Sequence, residues 1–225
     1  MSVRPRPRVL TPGETMGLVR AGETGPLRAG FSARITNGGA ETNIAIGPSR
    51  LGIGALWLGR VGDDAIGEAV LAALRAEGVE LAAEVDAERP TTGVMVKESR
   101  VPCASRVSYY RSGSAADVMS PELLEPELFE GAELLHLTGI TPAPSRTSAD
   151  LVHEAAETAR EHGGRVSLDV SYWSTLWNVD EAREGLQGCS PSATSSSADT
   201  ANPHCCATDG PAPCRRRLRP SGIPR

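Results

Sequence analysis

The stretch from Ala132 to Tyr172 restricts the fold of this chain more than any other. "AELLHLTGI" reads as a buried strand, "SADLVHEAAETAREHGG" as a helix and "RVSLDVSY" as a second strand. Two strands joined through a helix by short connections run parallel, because an antiparallel pair needs no crossover. The same alternation precedes it. "RVLTPGE" predicts a first strand that ends in a glycine turn with Glu14 at its carboxyl end. "ETNIAIGPSRLG" predicts a helix placing Ile44, Ile46 and Leu51 among small residues and stopped by Gly52. Pro48 inside it removes a helix hydrogen bond, a cost of about 3 kcal/mol in a helix interior. "GALWLGRVG" follows as a strand.

"DDAIGEAVLAALRAEGVEL" is the clearest helix, with Asp63 and Asp64 as caps, apolar Ile66, Val70, Leu71 and Leu74 on one side, and Gly78 as the stop. "SPELLEPELFEG" predicts a helix opened by Ser120 as N-cap and Pro121 at the first helical position. Strands alternating with helices predict an α/β fold, a parallel sheet covered on both faces. "TTGVMVKES" and "SRVSYYRSG", joined by a short connection containing Pro102, predict a hairpin in a separate small sheet. No internal repeat is present.

A chain of 225 residues can bury a substantial core as one α/β domain or two small ones. No apolar run reaches membrane-spanning length and no apolar signal core follows Met1 to Arg8, so a soluble, cytoplasmic protein without a membrane partner is expected. The net charge is −5, of which residues 189–225 contribute +3 and residues 1–188 carry −8. An acidic body argues against nucleic acid as a partner. Cys189, Cys205, Cys206 and Cys214 with His204 lack the paired spacing of a zinc site, so no metal ligand is assigned.

In open parallel sheets ligands bind at the carboxyl ends of strands. Glu14, Thr138 to Ile140 and Asp169 to Tyr172 fall there. "NGGAETN" places two glycines before a helix, which serves either close approach of a ligand to backbone N–H groups or a plain tight turn. His136 is expected as a buried strand residue, and His153 and His162 on the polar side of a helix. "GIGALWLG" leads into a strand and is no dinucleotide fingerprint, and no G-x-x-x-x-G-K-[ST] phosphate loop occurs.

The stretch "NGGAETNIAIGPSRLGIGALWLGRVGDD" resembles the N-terminal signature of the PfkB (ribokinase-like) carbohydrate kinases: a Gly-Gly pair, Asn43, a small residue at 45, then Gly52 and Gly62. "SRVSYYRSGSAA", "LLHLTGITPA" and "RVSLDVSYWSTLW" narrow the resemblance to the 2-keto-3-deoxygluconate kinase branch. It covers residues 8–188. It implies a ribokinase-like, Rossmann-type parallel sheet with a small β lid over the sugar, a lid that often pairs with a second lid in a homodimer. It also implies ATP-dependent phosphorylation of a sugar hydroxyl, with Mg2+. Gly38, Gly39, Asn43, Tyr109, Arg111 and Ile140 match the family's sugar-site motifs, and Glu14 stands at the position of an acidic sugar-hydroxyl ligand. Strand alternation puts Tyr109 and Arg111 on one face and Tyr110 on the other, which suits either a pocket wall or a solvated lid face.

The chain departs from the branch at two places. Ser171, Tyr172 and Trp173 stand where the branch reads Asn-Tyr-Arg, so a cation near the sugar acid or the transferring phosphoryl group is missing. Met95 replaces a tyrosine. The family's later Gly-Ala-Gly-Asp motif, whose Asp takes the proton from the sugar hydroxyl, does not occur in this sequence, so no catalytic residue is assigned. Residues 189–225, rich in Ser, Pro, Cys and Arg, read as a disordered segment or a shifted reading frame. With a suitable choice of codons, Cys189 to Ser197 becomes an apolar strand when read one base earlier. The sequence is therefore expected either to belong to a sugar kinase without turnover of its own, or to serve as a sugar-binding or regulatory module.

Overall fold

The computed structural model describes residues 8–101, 104–174, 176–187, 189 and 196–197. The elements in chain order are β1 (Val9–Pro12), β2 (Met16–Thr24), β3 (Ala33–Gly38), α1 (Ala40–Arg50), β4 (Ala55–Gly62), α2 (Ala65–Ala76) and β5 (Glu80–Asp86). There follow β6 (Val94–Val101), β7 (Ala104–Tyr110), three short 3-10 turns, β8 (Leu134–Thr138), α3 (Arg146–Glu161), β9 (Arg165–Asp169), α4 (Val179–Leu186) and β10 (Ser196–Ser197). The main sheet is parallel in the order β10-β9-β8-β1-β4-β5, and a second sheet has the order β3-β2-β6-β7.

The apolar runs are buried on both faces, as a parallel sheet requires. Leu10, Leu56, Leu58, Leu135, Leu137 and Leu168 pack against Val152, Ala155 and Ala156 of α3. On the opposite face Trp57 and Val61 meet Ala45 of α1 and Val70, Leu71 and Leu74 of α2. Each of the larger side chains of α2 contributes about 1.5–3 kcal/mol by leaving water. Asp64 caps α2 by accepting from Gly67 N at 2.7 Å, and it also accepts from Thr92 N and Thr92 Oγ1, both at 2.8 Å. One carboxylate thus fixes the start of α2 to the approach of β6. Asp63 takes no such part in the cap.

The second sheet contains the expected β6–β7 hairpin, whose Pro102 connection lies outside the described residues, and also β2 and β3, which the sequence reading did not resolve. β2 carries Gly17 and Gly22 within a run of nine, which dilutes its alternation. β5 was missed for a similar reason, since "ELAAEVD" is mostly alanine and acid. Leu51 lies past the end of α1 and is 78% exposed, while Thr42 and Ala45 supply the buried side of the helix. Pro48 is carried in the last turn of α1, where its own carbonyl accepts from Leu51 N and Ile53 N.

The helix expected from Ser120 is replaced by two 3-10 turns, Pro121–Leu123 and Pro126–Phe129. Pro126 holds Glu125 in extended backbone, which interrupts helical winding, and the Ser120 hydroxyl makes no cap bond. The expectations for residues 189–225 lie outside the described residues except at three positions. Cys189 is buried in the core beside α3, and Ser196 and Ser197 pair in parallel with Leu168 and Asp169. No described helix is long and apolar enough to cross a membrane.

Candidate functional site

The chain leaves β1 at Gly13 and enters β2 at Met16, so Glu14 sits at the joint between the two sheets. A cavity of about 550 Å³ opens there, bounded by the carboxyl ends of β1 and β8 on one side and by the second sheet on the other. Glu14, Gly38, Gly39, Asn43, Tyr109, Arg111 and Ile140 all line it. Tyr110 points away and is 66% exposed, as strand alternation requires.

The two readings of the glycine pair separate on backbone geometry. Gly39, the residue before α1, has an extended φ of 177°, which any residue adopts. Glycine is needed for space: a Cβ on Gly39 would lie 2.5 Å from the Glu14 carbonyl oxygen and 2.7 Å from Thr42 Oγ1. A Cβ on Gly38 would lie 3.2 Å from Met95, which lines the same cavity.

The floor of the cavity is charged. Glu14 is 5% exposed, and its Oε2 lies 2.5 Å from Arg111 Nη2. Ser114 Oγ lies 3.4 Å from the other carboxylate oxygen. Burial pushes the Glu14 carboxyl up to about 7, against the pull of the Arg111 charge and with added repulsion from Glu41 and Asp117. Glu41, 2% exposed, accepts from the hydroxyls of Thr138 and Thr141, and burial raises its carboxyl above the ordinary range as well. Thr138 Oγ1 in turn accepts from Ile140 N at 3.2 Å, which ties the end of β8 to this cluster.

The upper walls are apolar. Leu18 and Met95 come from the second sheet, and Trp173 and Leu176 follow β9. The Trp173 ring stands edge-on to Tyr109 with centroids 6.1 Å apart. Burial raises the Tyr109 hydroxyl out of its ordinary range. Ser171 adopts φ 34°, and its N–H and hydroxyl donate to the two Asp169 oxygens at 3.1 and 2.6 Å.

Of the charged and aromatic residues lining the cavity, Glu41 and Trp173 are the two that sequence reasoning did not assign to the site. Glu41 stands inside the quoted "NGGAETN", and an acid on the buried side of a helix was the available signal. Trp173 was recognised only as a missing arginine. His136 is a buried strand residue in contact with Ser167 Oγ, as expected, and His153 bonds the Gly185 carbonyl. A larger groove of about 1150 Å³ runs along the outer strand β5 and the turns near Leu123, away from these strand ends.

This architecture and site can be set beside known proteins. Residues 8–194 match the pfkB family carbohydrate kinase profile. The chain belongs to the pfkB family of carbohydrate kinases. The pfkB chain is 32% identical over 183 residues to the 2-dehydro-3-deoxygalactonokinase of Haloferax volcanii, a match that covers 81% of this chain and 58% of that one. It is 33% identical over 170 residues to the 2-dehydro-3-deoxygluconokinase of Bacillus subtilis, covering 75% and 52%. Among solved structures, a PfkB protein from Polaromonas sp. JS666 superposes with a TM-score of 0.75 at 35% identity, covering 80% of this chain and 62% of the other. The chain thus spans little more than half the length of the curated relatives it matches.

Among the described residues no group of three or more His, Cys, Asp or Glu is placed to hold a metal ion.

Proposed function

We propose that this chain forms the sugar-binding part of an ATP-dependent cytoplasmic kinase acting on a 2-keto-3-deoxy sugar acid, with 2-keto-3-deoxygluconate as the substrate. The observation that carries this reading is the cavity at Glu14, which is lined together by Glu14 and the six residues that match the family's sugar-site motifs, one guanidinium and one tyrosine ring among them. Asn43, Glu14 and the backbone at Gly38 and Gly39 suit the sugar hydroxyls, the Tyr109 ring suits the carbon skeleton, and Arg111 is the cation for the carboxylate. ATP and Mg2+ enter the reading through family membership.

The sequence holds no Gly-Ala-Gly-Asp, so the proposal for the 225-residue chain is binding without turnover. Equilibrium calorimetry with 2-keto-3-deoxygluconate tests the pocket, and a coupled assay with the sugar acid, ATP and magnesium tests the chemistry. Binding that disappears in Asn43→Ala supports the pocket. Absence of any sugar binding, or turnover well above background, counts against the reading.

The lid-pairing proposal has support of its own. Val19, Ile35, Val96 and Tyr110 share the outer face of the second sheet, and Ile35 is 55% and Tyr110 66% exposed. An apolar stripe of that kind is suited to a matching copy. Sedimentation of the wild type against Tyr110→Glu tests it, with a dimer lost in the variant as the expected result.

A further inference from the structure

Glu14, Glu41 and Arg111 are the charged residues lining the cavity. A sugar acid brings a third carboxylate into a space of about 550 Å³ that already holds two. The guanidinium it needs is in contact with Glu14 at 2.5 Å. Glu41 feels the Arg111 charge, but its hydrogen bonds come from Thr138 and Thr141, and the guanidinium contact belongs to Glu14. The remaining charged neighbour of Glu14 is Asp117, in the turn after Arg111, and it repels a third negative charge further. Like charges crowded in a low-dielectric site do not all remain ionised. The group that must change is the one in contact with the guanidinium.

We propose that Glu14 is a proton-operated gate on Arg111: ionised, it holds the guanidinium and the pocket favours neutral sugars, while protonated, it frees the guanidinium for the carboxylate of a sugar acid. Each sugar-acid molecule bound by the ionised form then takes one proton from solvent onto the Glu14 carboxylate, and the new ion pair is Arg111 with the ligand. The proton is accessible near neutral pH, because burial holds the Glu14 carboxyl at about 7. Ser114 Oγ beside the carboxyl can accept a hydrogen bond from it once it is protonated. This inference rests on the sugar-acid reading and adds to it how one pocket ranks charged against neutral ligands.

The test uses the full chain, 2-keto-3-deoxygluconate, and 3-deoxyfructose as its neutral counterpart. Calorimetry in buffers of differing ionisation enthalpy counts the protons taken up. Above about pH 7 the sugar-acid Kd should rise about tenfold per pH unit with uptake approaching one proton, while the 3-deoxyfructose Kd stays level. Glu14→Gln keeps the shape without the titration, so its sugar-acid Kd should be independent of pH and about tenfold tighter than wild type near pH 8. Should that variant not fold, proton uptake by the wild type decides alone. Sugar-acid binding with a level Kd and no uptake overturns the gate and leaves the sugar-acid reading standing. Binding of 3-deoxyfructose alone at every pH overturns the sugar-acid reading and the gate together, as does binding of neither sugar.

Discussion

Arg111 Nη2 lies 2.5 Å from Glu14 Oε2, so the guanidinium offered to a ligand is held from behind by the acid at the end of β1. Arginine meets a carboxylate with a planar two-bond fork, and lysine offers a point charge. Arg111→Lys is therefore expected to weaken 2-keto-3-deoxygluconate binding by about 1.5–3 kcal/mol near pH 6, roughly ten- to hundredfold in Kd. Binding of 3-deoxyfructose should change little. An equal loss for both ligands would mean that Arg111 braces the second sheet and does not read the carboxylate.

The raised Glu14 carboxyl also governs stability. Its folded value of about 7 stands above the ordinary 4.5, so the folded state holds this proton more tightly than the unfolded chain. Its contribution is complete below about pH 4.5 and is lost as pH rises to about 7, a decline on the order of 3 kcal/mol. Urea denaturation at a series of pH values should show the wild type losing this stability relative to Glu14→Gln across that window. Parallel curves would contradict it.

Ser171 is the described non-glycine residue with positive φ, at 34°. Left-handed backbone is poorly suited to serine and is tolerated by asparagine. Ser171→Asn should raise unfolding free energy by about 0.5–1 kcal/mol if its amide N–H groups take over the bonds to Asp169. Loss of stability would show that the Ser171 hydroxyl bond at 2.6 Å outweighs the backbone strain.

The frame of the gene after codon 188 offers a test of a different kind. The family match runs to residue 194, and Ser196 and Ser197 lie beside β9 where another parallel strand belongs. The downstream DNA is expected to encode Gly-Ala-Gly-Asp in another frame. Resequencing that finds no such codons in any frame would sink the frameshift proposal.

The parts of the fold legible in the sequence were those whose signal is local. α2 declares itself through Asp64, Gly78 and a regular apolar face, and Tyr109 and Arg111 share a pocket because strands alternate. What escaped depends on partners distant along the chain. β2 is a strand because β3 and β6 flank it, although its own glycines blur the pattern. Glu41 becomes part of the site only when β8 brings Thr138 and Thr141 to it across about a hundred residues. The Ser120 segment misled because a good N-terminal signature says nothing of the proline six residues on, which stops the winding.

Four chain crossings connect the two sheets: β1 to β2, β3 to α1, β5 to β6, and β7 to β8. The first carries Glu14 itself, and the other three each carry a residue packed against it: Gly39 on its backbone carbonyl, Gly93 and Arg111 on its carboxyl group. A Cβ on Gly93 would lie 2.6 Å from Glu14 Oε1, so even this crossing has no slack. The fold line of the molecule and its ligand contact are thus the same few atoms, and a tilt of one sheet against the other strains the Glu14–Arg111 pair directly. A molecule lodged between them acts as a wedge in a hinge, so its presence should register as a change in the overall dimensions of the protein in solution scattering.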